Sequence, residues 1–83
     1  MKSTRIYLVE STTSGPQAFG NEADALKRAN THMSEMQAWA DITGRSGEFA
    51  ENDVVNANTR SWSMHREGVN EPDWVRVTSL AVQ

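Results

Sequence analysis

The closing stretch Asp73 to Val82, DWVRVTSLAV, constrains the fold more than any other, because it reads as a strand that is apolar on both faces. Side chains alternate across a strand, which puts Val75, Val77 and Ala81 on one side and Trp74, Leu80 and Val82 on the other. A strand of this kind sits inside a sheet and needs cover above and below. The opening stretch Thr4 to Ser11, TRIYLVES, behaves alike: Ile6 and Leu8 point one way, Tyr7 and Val9 the other. Two such strands in 83 residues raise the question of what covers the second face, since a chain of this length buries only about 60 to 65% of its unfolded surface.

The segments between them supply one helix. The turn cluster STTSGP ends the first strand, and PQAFG after it offers a short second strand with Phe19 as its core contribution. Asn21 stands where an N-cap belongs, and Glu22 and Asp24 suit the positive end of a helix starting at Glu22. Leu26, Ala29, Met33, Met36 and Ala40 then recur at spacings of three and four, the stripe that would lie on the sheet. Thr43 and Gly44 give a stop; the alternative is a helix ending near Met36 with AWADIT as a strand. Gly44 to Arg60 is irregular, with room for one short helical turn or strand, Arg60 to Glu67 alternates with Trp62, Met64 and Arg66 opposite Ser61, Ser63 and His65, and GVNEPD turns the chain into the last strand. The expected fold is therefore a single α+β domain, a three- to four-stranded antiparallel sheet with one main helix on one face, in β-(β)-α-β-β order. The other face, carrying some of Tyr7, Val9, Trp62, Trp74 and Leu80, is covered either by Gly44 to Arg60 or by another chain.

Composition narrows function. The chain has no Cys, which removes disulfides and thiolate metal sites as staples for a small domain and leaves self-association or a bound partner. Eight Lys and Arg against eleven Asp and Glu give a net charge of −3, a field that disfavours direct nucleic-acid binding. The longest apolar run, Ile6 to Val9, is far short of the roughly 20 residues of a membrane helix, and MKSTRIYLVEST has no signal-peptide core, so a cytoplasmic protein is the expectation.

No catalytic pattern stands out. His32 and Glu35 lie three apart on the expected helix, but a metal needs further ligands, and a polar helix face is the better reading. His65 in line with Ser61 and Ser63 lacks the third group of a nucleophilic site. GRSG, Gly44 to Gly47, lacks the Lys-Ser/Thr ending of a phosphate loop, and ENDVVNAN misses the central Gly and bidentate Glu of a calcium loop. No enzyme, cofactor or metal is expected. The aromatics point elsewhere: Trp and Arg anchor protein interfaces, and Trp62 with Arg60 or Arg66, beside Trp74 with Arg76, would form a patch of stacked indole and guanidinium planes. Acidic loops at Glu48, Glu51 and Asp53 and at Glu67, Glu71 and Asp73 would meet Lys- or Arg-lined surfaces.

A strand such as RIYLVE, a capped helix NEADALKRANTHMSEM and a closing antiparallel hairpin in an acidic, Cys-free chain resemble the small accessory proteins of bacteriophages and mobile elements, anti-CRISPR proteins and other inhibitors of host defence among them. The resemblance implies a stoichiometric blocker in the bacterial cytoplasm that occludes a site on a defence or nucleic-acid-processing complex. Its contact residues would be Trp62, Arg66, Glu67, Glu71, Asp73, Trp74, Arg76, Glu48, Glu51 and Asp53. A homodimer formed through the uncovered sheet face is the alternative expectation.

Overall fold

The structure, a computed structural model, describes residues 4–44, 47–54, 56–66 and 68–82. Glu67, Arg45, Ser46 and Val55 fall outside them, as does the side chain of Val82. The elements follow in the order β1 (Thr4–Ser11), β2 (Gln17–Phe19), α1 (Glu22–Ile42), β3 (Ala50–Glu51), β4 (Thr59–Met64) and β5 (Asp73–Val82). The five strands form one antiparallel sheet ordered β2-β1-β5-β4-β3. It has one strand more than the expected three to four, because β3 is built from only two residues of the irregular segment, too few for any period to register. The two strands read as apolar on both faces, β1 and β5, lie side by side at its centre, paired from Thr4↔Val82 to Ser11↔Val75.

The helix is continuous to Ile42, so AWADIT is not a strand. Asn21 caps it by accepting from the Asp24 amide at 2.8 Å, while its own amide group donates to the Asp24 carboxylate at 2.9 Å. At the far end the Thr43 amide reaches the Trp39 carbonyl at 3.0 Å, and Gly44 takes the left-handed conformation, φ 75°, that terminates helices without a Cβ clash. The buried stripe is Ala25, Ala29, His32 and Ala40, with Leu26, Met33 and Met36 half-buried beside it. It thus runs one residue to the side of the expected line, and it recruits a histidine that the sequence reading had placed on a polar face.

Ala25 and Ala29 lie against Val9, Val75 and Val77, and Tyr7, Phe19, Phe49 and Trp62 close the rim of this core. Two small residues at the contact let the helix axis approach the sheet closely. Register then settles the faces, because cross-strand partners share one. Tyr7, Val9, Phe19, Val75, Val77, Trp62 and Met64 lie on the helix side. Ile6, Leu8, Glu10, Trp74, Arg76, Thr78, Leu80, Thr59, Ser61, Ser63, Ala18 and Ala50 lie on the other. Tyr7, Val9 and Trp62 are accordingly not part of the open face.

The segment after the helix does not fold across that face. Gly47 tucks against the end of β4, where a Cβ would stand 2.6 Å from the His65 carbonyl oxygen and 2.9 Å from Met64 Cγ, so only glycine fits. Its carbonyl is held by the Gln37 side chain. Phe49 then enters the core, β3 adds an edge to β4, and β4 itself spans Thr59–Met64, three residues short of the expected Glu67.

Candidate functional site

Two regions carry the unusual side chains, and the sheet separates them. On the open face Trp74 and Arg76 are successive outward residues of β5, and the guanidinium carbon of Arg76 sits 5.1 Å from the Trp74 ring centre. Arg76 Nη2 also contacts Glu10 Oε1 at 3.2 Å across the strand pair. Beside Trp74 lies a shallow pocket of about 310 Å³, bounded by Asn52, Ser61, Ser63, Pro72, Trp74 and Arg76. Its polar wall is ordered, with Asn52 Nδ2 donating to Ser61 Oγ at 3.0 Å and to Ser63 Oγ at 2.8 Å. Toward the other end of β1 and β5 the face turns apolar through Leu8, Ile6 and Leu80, and Leu80 is 46% exposed.

The second stacked pair is on the helix side. The Arg60 guanidinium carbon lies 5.2 Å from the Trp62 ring centre, and Arg60 grips Glu51 with two bonds, Nε to Oε2 at 3.1 Å and Nη2 to Oε1 at 3.0 Å. These bonds hold the Glu51 carboxyl below its ordinary range. The two Trp–Arg pairs therefore do not form one patch: Trp62 and Trp74 point to opposite faces because they occupy opposite-parity positions in the paired register, Trp62 facing Val75 and Trp74 facing Ser63.

At the end of the sheet, between α1, the turn after β1 and the β4–β5 loop, is a half-open cleft of about 390 Å³ lined by Thr13, His32, Glu35, Met36, Trp39, Arg66 and Asp73. The His32 ring is 3% exposed and its Nε2 has no hydrogen-bond partner among the described residues. Burial first, and then the Arg28 charge, push its pKa down, with Glu35 opposing, so the ring is neutral at physiological pH. Arg66 Nε lies 2.9 Å from Asp73 Oδ2, a charge contact in which the N–H is not aimed at the oxygen. Trp39 stands 63% exposed on the rim. Glu10 and Asn52 carry no signal in the sequence and needed the sheet register to be found, whereas His32, weighed there with Glu35 as a metal ligand and read as part of a polar helix face, is turned inward by a helix period one residue off.

The expected contact residues thus divide. Trp74 and Arg76 share the open face, Arg66 and Asp73 pair in the cleft, Trp62 is half-buried under the helix side, and Glu51 is tied to Arg60. Glu48, Asp53 and Glu71 are exposed and make no ion pair among the described residues, and Glu67 lies outside them. No cluster of three or more His, Cys, Asp or Glu that could hold a metal occurs among the described residues, and no helix there is long and apolar enough to cross a membrane. No family model, curated protein or solved structure matches the chain.

Proposed function

We propose that this chain is a non-enzymatic protein-binding module that acts by occupying a surface. One observation carries the reading: the sheet face opposite the helix is uncovered, yet it presents Trp74 stacked with Arg76 and an apolar run of Ile6, Leu8 and Leu80. Trp and Arg are among the residues that dominate binding energy in protein interfaces, and a contiguous exposed apolar patch marks an interaction site. Outside that face Trp39 stands exposed on the rim of the cleft, and the exposed carboxylates Glu48, Asp53 and Glu71 add acidic contact groups on the loops. Occlusion of a basic site on a bacterial defence or nucleic-acid-processing complex is the form of this function that the likeness to phage accessory proteins implies.

The test is affinity capture from bacterial lysate with wild type, Trp74→Ala and a Glu48→Lys, Asp53→Lys, Glu71→Lys triple variant, each checked for fold by circular dichroism. One complex recovered in stoichiometric amount with wild type and lost with either folded variant is the expected result. Equal recovery by all three overturns the surface assignment.

A further inference from the structure

We infer that the occupant of the β1–β5 part of the open face is a second copy of this chain, the two sheets stacking face to face with both helices outward. This rests on the protein-binding reading above and names the partner for one of its surfaces.

Neither β2 nor β4 reaches the far ends of the two central strands. β2 pairs with β1 only at Tyr7, Leu8 and Val9, and β4 pairs with β5 only as far as Thr78, with one further bond from the Ser79 amide to the Asn58 carbonyl at 2.7 Å. Among the described residues, Thr4 to Ile6 and Leu80 to Val82 therefore continue as a ribbon of two strands alone. The helix does not shelter it: α1 packs over Val9, Val75 and Val77 and runs from there toward the Thr13 and Asp73 end. A two-stranded ribbon without a packed face is marginal in water. This one places Ile6 and Leu80 opposite each other on the face that continues into Leu8.

Charge selects the occupant. In a twofold contact each patch meets itself, so a face with net charge repels its own copy. Among the described residues the open face holds two charged side chains, Arg76 and Glu10, and they neutralise each other at 3.2 Å. The rest are Thr, Ser, Ala, Leu, Ile and Trp. The outer surface of the helix, by contrast, exposes Glu22, Asp24, Lys27, Glu35 and Asp41. A partner recruited by charge would find its field there or at the acidic loops, whereas a neutral, apolar face suits a neutral, apolar copy.

Area sets the strength of the contact. Each strand residue tiles about 16 Å² of a sheet plane, so β1 and β5 offer roughly 290 Å² and the whole five-stranded face roughly 470 Å². Both are below the roughly 800 Å² per partner of a standard interface, so the pair is a weak, concentration-dependent dimer. Stacking with both helices outward leaves Trp39, on the helix at the rim of the cleft, free in both copies.

Sedimentation equilibrium on the full chain from about 1 µM to about 1 mM, for wild type, Leu80→Glu, Leu80→Ser and Trp74→Ala, decides the matter. The expected result is a wild-type mass rising to twice 9.2 kDa, with dimerisation weakened at least about 100-fold by Leu80→Glu and about 10-fold by Leu80→Ser. Leu80→Ser guards against misfolding, since the position is half-exposed and outside the core. A wild-type monomer throughout the range overturns the second copy and leaves the face for a different protein. A dimer unchanged by all three substitutions overturns this inference and places the contact between copies elsewhere, leaving the open face to be decided by the capture experiment.

Discussion

Among the described residues His32 Nε2 is buried without a hydrogen-bond partner, and the Glu35 charge offsets only part of the loss of water around the ring. The groups around it are Arg28 and Glu35 on its own helix, and, across the cleft, Arg66 from the β4–β5 loop and Asp73 at the start of β5. Because burial and Arg28 depress its folded-state pKa below the ordinary 6.5, the unfolded chain takes up a proton first as pH falls. The stability that a neutral His32 contributes is then fully present above pH 6.5 and is lost progressively below it, down to the depressed folded value. Urea midpoints measured from pH 8 to pH 5 should fall more steeply for wild type than for His32→Leu. At pH 7 His32→Leu should be the more stable by about 1 kcal/mol, since it removes an unpartnered buried polar atom at similar volume. Equal pH slopes for the two proteins would show that His32 is not the titrating group.

The elements owe their boundaries to a few side chains. Asn21 satisfies the free Asp24 amide, so Asn21→Ala should cost about 1 kcal/mol. The last turn of α1 has no basic residue and carries Asp41, which faces the negative end of the helix. Asp41→Lys should therefore stabilise by roughly 0.3 to 1 kcal/mol, less at high salt. Thermal midpoints of both variants check the pair, and matching shifts of the same sign would contradict it. The same local rules explain what was legible beforehand. β1, β5, the helix start and the Gly44 stop follow from alternation, capping and a left-handed glycine, all properties of neighbouring residues. β3 was legible only as one of two choices for the irregular segment, a short turn of helix or a short strand, because two residues carry no pattern that would place it; the interior place of His32 was not legible, since it depends on a helix rotated by about one residue against the sheet. That Trp62 and Trp74 would part company required the β4–β5 register, which no single strand contains.

At the scale of the molecule the helix-side core is small: Val9, Ala25, Ala29, Val75 and Val77, with Met64 and Ala40 buried separately. Stability should then be uneven along the sheet. In native-state hydrogen exchange of dilute protein, the amides of Val9, Val75 and Val77 should be the slowest, and those from Thr4 to Ile6 and Leu80 to Val82 should exchange many-fold faster. Rising concentration should slow the second group selectively if copies stack there. Uniform protection in the dilute sample would contradict the uneven core. The open face was anticipated from two strands apolar on both sides in a chain with one helix; which residues lie on it was not, since Tyr7, Val9 and Trp62 turned out to be under the helix.

The pairing of β1 with β5 also sets the order in which the molecule can be made. Thr4 meets Val82, so the two central strands of the sheet are separated by nearly the whole chain, and closing so long a loop must precede most of the reward. A ribosome releasing the chain from its N-terminal end delivers β1, β2 and the capped helix first, with no central partner for β1 until the last ten residues of the sheet emerge. During that interval the apolar sides of β1 have only the helix to shield them, and a nascent chain is exposed to holdase binding or misassembly in proportion to the delay.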